Sequence, residues 1–418
     1  MTSDIDALPA LRQDLEIVPF EHEGRPLFLL QDPESGARET MGLSPAGMAV
    51  ASLLDGRRRV EDVLSALKEA AGLTLAAQDV ARIAQQLEQA GLLETEAVRE
   101  RRRRILREFA ESSVRKAVLS GASYPGDSLE LAKLFGGFAR DGRGPGKPFP
   151  DKPGNGAAPL GLMAPHIDFH RGGPAYAWAY QALADSEPPD LVVALGVAHA
   201  SPPSPWIMTK KAYETPWGPM EVDKALYKEI ADTLWYDPLA DEWAHRKEHS
   251  LEFQAVWLRF LWRERTPPWV PILCSTFERW ANDRSPATIR TVEDALNRIG
   301  ERLRRRGKTQ RVLVLAGVDL AHVGPRFGDE IELTPELEKR IETEDRKSLA
   351  HAMALEADPF YLSVVADGHW RKVCGLSATY TALRWLKAMG AEKGSLLAYG
   401  QAPDPAGGIV SFTSAVFR

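Results

Sequence analysis

Three stretches decide the reading of this chain: LGLMAPHIDFH (160–170), LVVALGVAH (191–199) and VLVLAGVDLAH (312–322). Each begins with a short apolar run of the length of a buried strand and ends within a few residues on a histidine: His166, His199 and His322. Two further runs, Val270–Ser275 and Leu396–Tyr399, read as strands, and Tyr176–Ala184, Leu251–Trp262, Ile289–Arg304, Glu336–Met353 and Ser377–Met389 have the period and length of helices. Strands alternating with helices predict an α/β fold whose sheet is covered on both faces. In such sheets ligands bind in the loops past the carboxyl ends of the strands. Three strand-end histidines are therefore candidate ligands for one metal ion, because an ion needs imidazole or carboxylate groups converging from separate elements.

The composition bounds the alternatives. The 418 residues carry 52 basic and 58 acidic side chains, a formal charge of −6, so no global attraction draws the chain to a phosphate backbone, and no nucleic-acid partner is expected. Cys274 and Cys374 are the only cysteines, a hundred residues apart, which excludes a disulfide framework, a zinc finger and a cysteine-bound cluster. Free thiols, a start (MTSDID) without signal-peptide character and the lack of any apolar run of about 18–20 residues lead to the expectation of a cytoplasmic protein with no membrane span.

Two local patterns add candidates. HRKEHSLE (245–252) spaces His245 from His249, and Glu248 from Glu252, by one helical turn. His-x-x-Glu-His is also a zinc-peptidase signature, with two ligands and a general base, so a zinc hydrolase is a minor alternative. In WRKVCGLSATY (370–380), Cys374 lies just ahead of a helix, where the dipole and the neighbouring Arg371 and Lys372 are expected to favour its thiolate. Cys274, inside the apolar run VPILCS, reads as a core residue.

The first hundred residues differ in texture. IVPFEHEGRPLFLL (17–30) predicts a hairpin about a Glu-Gly turn, followed by a helix capped by Ser44 with Pro45 at its first position, and by helices over Val60–Ala71 and Asp79–Ala90. That is a small α+β unit of winged-helix size. The basic run VRERRRRILREFAES (98–112) predicts a solvated helix laced with ion pairs. Gly136 to Leu160 is so rich in Gly and Pro that no regular element is expected there.

Taken in order, VRKAVLSGASYPGDSLELAKLF, APHIDFHRGG, ALGVAHA, YETPWGPMEVD, HRKEHSLEFQAVWL, LAGVDLAHVG and VCGLSATYTAL resemble the MEMO-like family, in its bacterial form the B component of the AmmeMemoRadiSam system. The resemblance spans roughly residues 112–418. It implies a fold similar to class III extradiol dioxygenases, with one metal at the carboxyl edge of a mixed sheet flanked by helices. By motif, His166, His199 and Cys374 would take the family's metal-ligand positions. His322 and Asp319 would face the same pocket as acid/base groups, and Glu248 and His249 would line it and orient the ligands. After the first histidine the family commonly has small residues and an aromatic, whereas this chain has Asp168, His170 and Arg171, which are assigned to the substrate side.

The N-terminal stretches LSPAGMAVASLLDGRRRVEDVLSAL and DVARIAQQLEQAGLLE resemble a PqqD-like domain, the winged-helix unit that recognises leader peptides of ribosomally made, modified peptides. The expected organisation is residues 1–98 for that domain, 99–111 for a basic linker helix and 112–418 for the metal domain, with 136–160 as an insertion. The resemblance implies a non-haem metal redox enzyme, an oxygenase or oxidase using Fe(II), with copper as the alternative ion. The competing reading is a non-catalytic adaptor presenting a leader-like peptide to a radical SAM enzyme. Oligomeric state and substrate are not legible in the sequence.

Overall fold

The computed structural model describes residues 7–32, 40–405 and 407–418, and the chain divides into two compact units, Met1–Glu111 and Ser112–Arg418. The first unit holds strands β1 (Glu16–His22), β2 (Arg25–Gln31) and β3 (Met41–Leu43) in one antiparallel sheet of that order, then helices α1 (Pro45–Ser52), α2 (Val60–Ala71), α3 (Ala77–Ala90) and α4 (Glu96–Glu111). The β1–β2 hairpin turns at Glu23 and Gly24, both at positive φ, the combination that matches the twist of the strands it joins. The Ser44 hydroxyl accepts from Gly47 N to cap α1, and Gly72 and Gly91 end α2 and α3 in the left-handed conformation. Leu30, Val50, Val63, Leu67, Val80, Leu87 and Leu93 form the core of this unit. All seven residues of β1 are exposed. The basic helix α4 runs through Arg99–Glu96, Arg103–Glu96 and Arg104–Glu108 ion pairs and buries only Val98.

In the second unit Leu396–Tyr399 falls within a longer, partly exposed strand, while the other four of the five apolar runs become fully buried strands: β5 (Gly161–Ala164), β6 (Leu191–Val197), β9 (Trp269–Cys274) and β10 (Val312–Gly317). They are mutually parallel, in the order β5-β10-β6-β9. Buried on both faces by flanking helices, such strands read as unbroken apolar text. Antiparallel strands complete the sheet: β7 (Trp206–Met208) beside β9, and β13 (Ile409–Phe417) beside β5, itself flanked by β11 (Asp319–Val323) and β12 (Gly394–Pro403). The short β4 (Val114–Arg115) and β8 (Ala212–Tyr213) pair apart from it. The covering helices are α5 (Ser128–Arg140), α6 (Phe169–Ala184), α7 (Lys224–Ala231), α8 (His249–Trp262), α9 (Glu278–Ala281), α10 (Arg290–Arg306), α11 (Pro335–Met353), α12 (Ala357–Val365) and α13 (Leu376–Met389). The mixed α/β sheet flanked by helices is thus the architecture of this unit.

Three expectations are corrected. Residues 136–140, read as irregular, continue α5, because Leu131, Phe135 and Ala139 place a buried stripe on one face and outweigh the cost of Gly136 and Gly137. Helix α6 starts seven residues before Tyr176: Asp168 caps it, and its glycines mark close packing, since a Cβ on Gly172 or Gly173 would strike Ile167 or Phe138. Asp319 and His322, expected in a loop, lie on β11, paired with β13.

A histidine-rich pocket at the sheet's carboxyl edge

The parallel strands deliver their histidines to one place. His166 follows β5 and is almost fully buried; its backbone N–H donates to Asp319 Oδ1 at 2.9 Å. Its Nδ1 lies 3.0 Å from Gly317 O, so Nδ1–H donates to that carbonyl and Nε2 is left free. His199 follows β6, with Nδ1 3.0 Å from Glu248 Oε1, so that Nδ1–H donates to the carboxylate. Glu248 caps α8 by accepting from Ser250 N, and it also accepts from His199 N at 3.1 Å. His249, the first residue of α8, stacks on His199 with ring centroids 4.7 Å apart. Ligand nitrogens of His166, His199 and His249 all lie within 4.8 Å of one another.

Cys374 joins this group from the turn before α13. Its Sγ is 3.3 Å from His166 Nε2 and 3.8 Å from Asp319 O. Asp319 Oδ2 lies 3.6 Å from the same imidazole nitrogen. His322 donates from Nδ1 to Leu320 O at 3.0 Å, and its backbone N–H donates to Arg371 O. These side chains, with Asp168 and Arg171, line or underlie a cavity of about 350 Å3 whose wall also includes Lys247, Phe253, Arg326, Phe327 and Asp404. Asp168 caps α6 and binds the Arg171 guanidinium.

The electrostatics of this floor follow from burial. Burial pushes the Asp319 carboxyl up to about 7 and pulls His249 and His322 down to about 4; His166 is also driven well down. Burial alone would lower His199 too, but Glu248 and Cys374 outweigh it and hold that imidazole well above its ordinary value. For Glu248 burial would raise the carboxyl, and His199 outweighs it downward. A buried carboxyl beside several imidazoles whose free nitrogens converge is a donor set that a mononuclear cation would satisfy.

The structure brings nearly all the sequence candidates together, with three differences. His249 stands among the converging imidazoles, where the motifs assigned it a lining role. His170 is exposed and lines a neighbouring groove instead of the pocket. His245 is apart from the site: Tyr213 Oη lies 2.7 Å from its Nδ1, and its Nε2 lies 3.0 Å from Ile207 O. It ends a 3₁₀ turn, Glu242–His245, whereas His249 opens α8, so the two do not share the helix face that a His-x-x-Glu-His zinc site requires. The zinc-hydrolase alternative loses its ligand pair.

The surroundings of Cys374 also depart from expectation. Arg371 donates to Asp345 and Ser348, and Lys372 pairs with Asp329, so neither cation is directed to the thiol, and burial pushes the thiol up. Cys274 is buried in β9, as a core residue. Arg326 and Asp404 stand on connections with no periodicity and no motif, and Lys247 lies within HRKEHSLE, where only the histidines and glutamates carry the pattern.

Comparison with known proteins places these features in context. The family model described as Memo-like protein matches residues 115–416, and that described as coenzyme PQQ synthesis protein D (PqqD) matches residues 28–93. A MEMO1 family protein of Aquifex aeolicus is 24% identical over 395 residues, covering 93% of this chain and 96% of its own. One from Methanopyrus kandleri is 29% identical over 315 residues, covering 73% of this chain and 99% of its own, and one from Thermus thermophilus is 27% identical over 345 residues, covering 82% and 93%. Among the described residues no helix is long and apolar enough to cross a membrane.

Proposed function

Because this chain belongs to the Memo-like protein family, with a PqqD domain near its N-terminus, we propose that residues 112–418 form a non-haem metal redox centre, an oxygenase or oxidase, in an extradiol-dioxygenase-like frame. The observation that carries this reading is the convergence of His166, His199 and His249, with Cys374 3.3 Å from His166 Nε2, at the base of a cavity open to a small molecule. His166, His199 and Cys374 hold the ion, with His249 beside them. Iron(II) is the proposed ion; a thiolate among imidazoles equally suits copper. The bound ion would supply a redox-active Lewis acid with positions left for oxygen and substrate.

The protein's own groups have distinct tasks. Gly317 O and Glu248 each engage Nδ1 of one imidazole, which would leave Nε2 as the atom that holds a bound ion. Asp319 holds the His166 backbone with one oxygen and keeps the other in the site. His322, whose Nδ1 is engaged by Leu320 O, presents Nε2 as the group that takes a proton from substrate and returns it.

The test is anaerobic purification with elemental analysis, then oxygen uptake on adding reductant. Stoichiometric iron or copper is expected in the wild type, with loss in Cys374→Ala and uptake abolished in His322→Ala at unchanged metal content. Zinc alone would refute the redox reading, and full iron retained by Cys374→Ala would refute the ligand set.

A second reading, that the chain is an adaptor for a leader-like peptide or a radical SAM partner, draws support from the exposed β1, where Ile17 and Val18 are each 43% accessible on an edge strand. The two readings separate cleanly: an adaptor consumes no oxygen with any loaded metal.

A further inference from the structure

Cys374 sits between two backbone clamps, and one of them is anchored outside the pocket. On one side Gly375 N–H donates to Asp319 O at 3.2 Å; on the other, the N–H of the buried Val373 donates to His369 Nε2 at 2.8 Å. An imidazole that accepts at Nε2 carries its proton on Nδ1, and that nitrogen lies 2.8 Å from Glu278 Oε1. Glu278 Oε2 accepts in turn from Thr276 Oγ1 at 3.2 Å. Thr276 and Glu278 stand just past β9, the parallel strand that brings no histidine to the pocket. The same segment also reaches past the cysteine, because Phe277 N–H donates to the hydroxyl of Ser377 in the first turn of α13. The turn ahead of Cys374 is strained: Gly368, His369 and Lys372 have φ of +78°, +54° and +46°, and two of the three are not glycine. Such conformations persist only where surrounding contacts over-determine them. Arg371 and Lys372 are tied away from the thiol, to Asp345 and Asp329, whereas the His369 ring reaches the residue next to Cys374.

We infer that His369 is a positioning residue for the Cys374 thiol: its ring, oriented by Glu278, fixes the Val373 amide and so sets Sγ beside the histidines. This deepens the metal-centre reading and rests on it for the ion that the sulfur meets. A cysteine has one rotatable bond before its sulfur, so a given backbone offers Sγ about three places. A metal–ligand distance tolerates errors of only about 0.2 Å. The backbone clamp therefore decides whether the thiol reaches the ion. The device parallels that at His199, where a glutamate engages both an imidazole and a backbone N–H; here the glutamate acts through the imidazole. It also gives each parallel strand a part in the site. His166 follows β5, His199 follows β6 and Gly317 O ends β10, while β9 acts at one remove, through Glu278 and His369.

The experiment takes the full chain, stripped of metal by a chelator and titrated with Co(II), whose sulfur-to-metal charge-transfer absorption reports thiolate ligation. The wild type is expected to show that band and Cys374→Ala to lack it. His369→Leu, which cannot accept from Val373, should weaken Co(II) binding by about tenfold or more, the usual worth of a group that orients a metal ligand, and should diminish the band at saturating metal. His369→Gln, whose Oε1 can replace Nε2 as acceptor, should restore most of both. Glu278→Ala leaves the ring without its anchor; it should show the same loss in smaller measure, and it decides the matter should His369→Leu fail to fold. Band and affinity unchanged in His369→Leu, or in Glu278→Ala where that variant stands in, overturn the inference; so does a Gln variant no better than the Leu one. Amide hydrogen exchange of the metal-free proteins is the second readout: Val373 should exchange faster in His369→Leu, with the amides of α10 unchanged as the control for the fold. A wild type that takes up no Co(II), or takes it up without the sulfur band, defeats the ligand set. The exchange data still decide whether His369 holds the turn, and equal Val373 exchange in wild type and variant shows that it does not.

Discussion

The floor and the rim of the one cavity satisfy their polar groups in different ways. On the floor, the glutamate that orients His199 caps a helix, and the carboxyl beside His166 takes a backbone N–H. Beneath it, Arg115 and Glu252 are both completely buried: Arg115 donates to His245 O, Glu248 O and Glu252, and Glu252 also accepts from Leu119 N and Tyr124 Oη. On the rim, Arg326 is 64% exposed and Arg171 keeps a donor with no acceptor. A floor whose orienting groups are spoken for, and whose imidazole nitrogens converge, is pre-organised for a fixed ion. A rim built of partly exposed ion pairs is suited to a ligand that comes and goes.

The sharpest way to break this contrast is to truncate one residue of each kind. Arg115→Ala removes the counter-charge of the buried Glu252 carboxylate and the donors of three backbone carbonyls, and such losses typically cost about 3–5 kcal/mol. Arg326→Gln, on the rim, should change stability by less than about 0.5 kcal/mol. Urea unfolding of both variants checks the pair. Near-equal midpoints would mean that the floor is no more rigidly determined than the rim.

Acid should find the buried layer next to the site. Tyr213 Oη can donate to His245 Nδ1 only while that nitrogen is unprotonated, and burial, the main cause, holds this imidazole down to about 3. An imidazole whose folded pKa lies below its unfolded value near 6.5 contributes stability that is complete above about 6.5 and is lost as pH falls towards 3. Over the window from 6.5 to 4 the loss is on the order of 3 kcal/mol, about 1.4 kcal/mol for each pH unit. His245→Gln should remove one proton's worth of that slope, while His249 and His322 go on titrating in both proteins. Denaturant midpoints measured across the window test it; parallel curves would leave His245 without this role.

How much of this arrangement the sequence disclosed depends on what each group is bonded to. β5, β6, β9 and β10 were legible because they are apolar on both faces, and His166 and His199 because they follow such strands directly. β13 is buried at all nine positions yet escaped notice, since Ser411, Thr413 and Ser414 interrupt its apolar text. Their hydroxyls are satisfied only by distant partners, Asp345, Ala398 O and Ala175 O, which no local window contains. The rim was illegible for the same reason: Arg326 and Asp404 meet across 78 residues of chain. His245 shows the reverse error, a motif complete in sequence whose first histidine is turned away by Tyr213 and Ile207.

The smallest expected effect bears on the bond that joins a legible residue to an illegible role. Glu248 was read as a pocket group, but its reach to His199 follows from capping α8: the same carboxylate that ends the helix ladder accepts from the His199 ring and backbone. Glu248→Gln keeps size and one acceptor oxygen while removing the charge that holds a proton on His199 Nδ1. Partners of metal-bound histidines of this kind typically govern affinity by about 10–100-fold, roughly 1.4–2.8 kcal/mol. Competition of the variant and wild type against a chelator of known strength measures that ratio, and thermal unfolding without metal separates it from a fold defect. A Glu248→Gln protein that binds the ion as tightly as wild type would show that His199 is held by the strand end alone, and that the cap and the metal site are neighbours without being coupled.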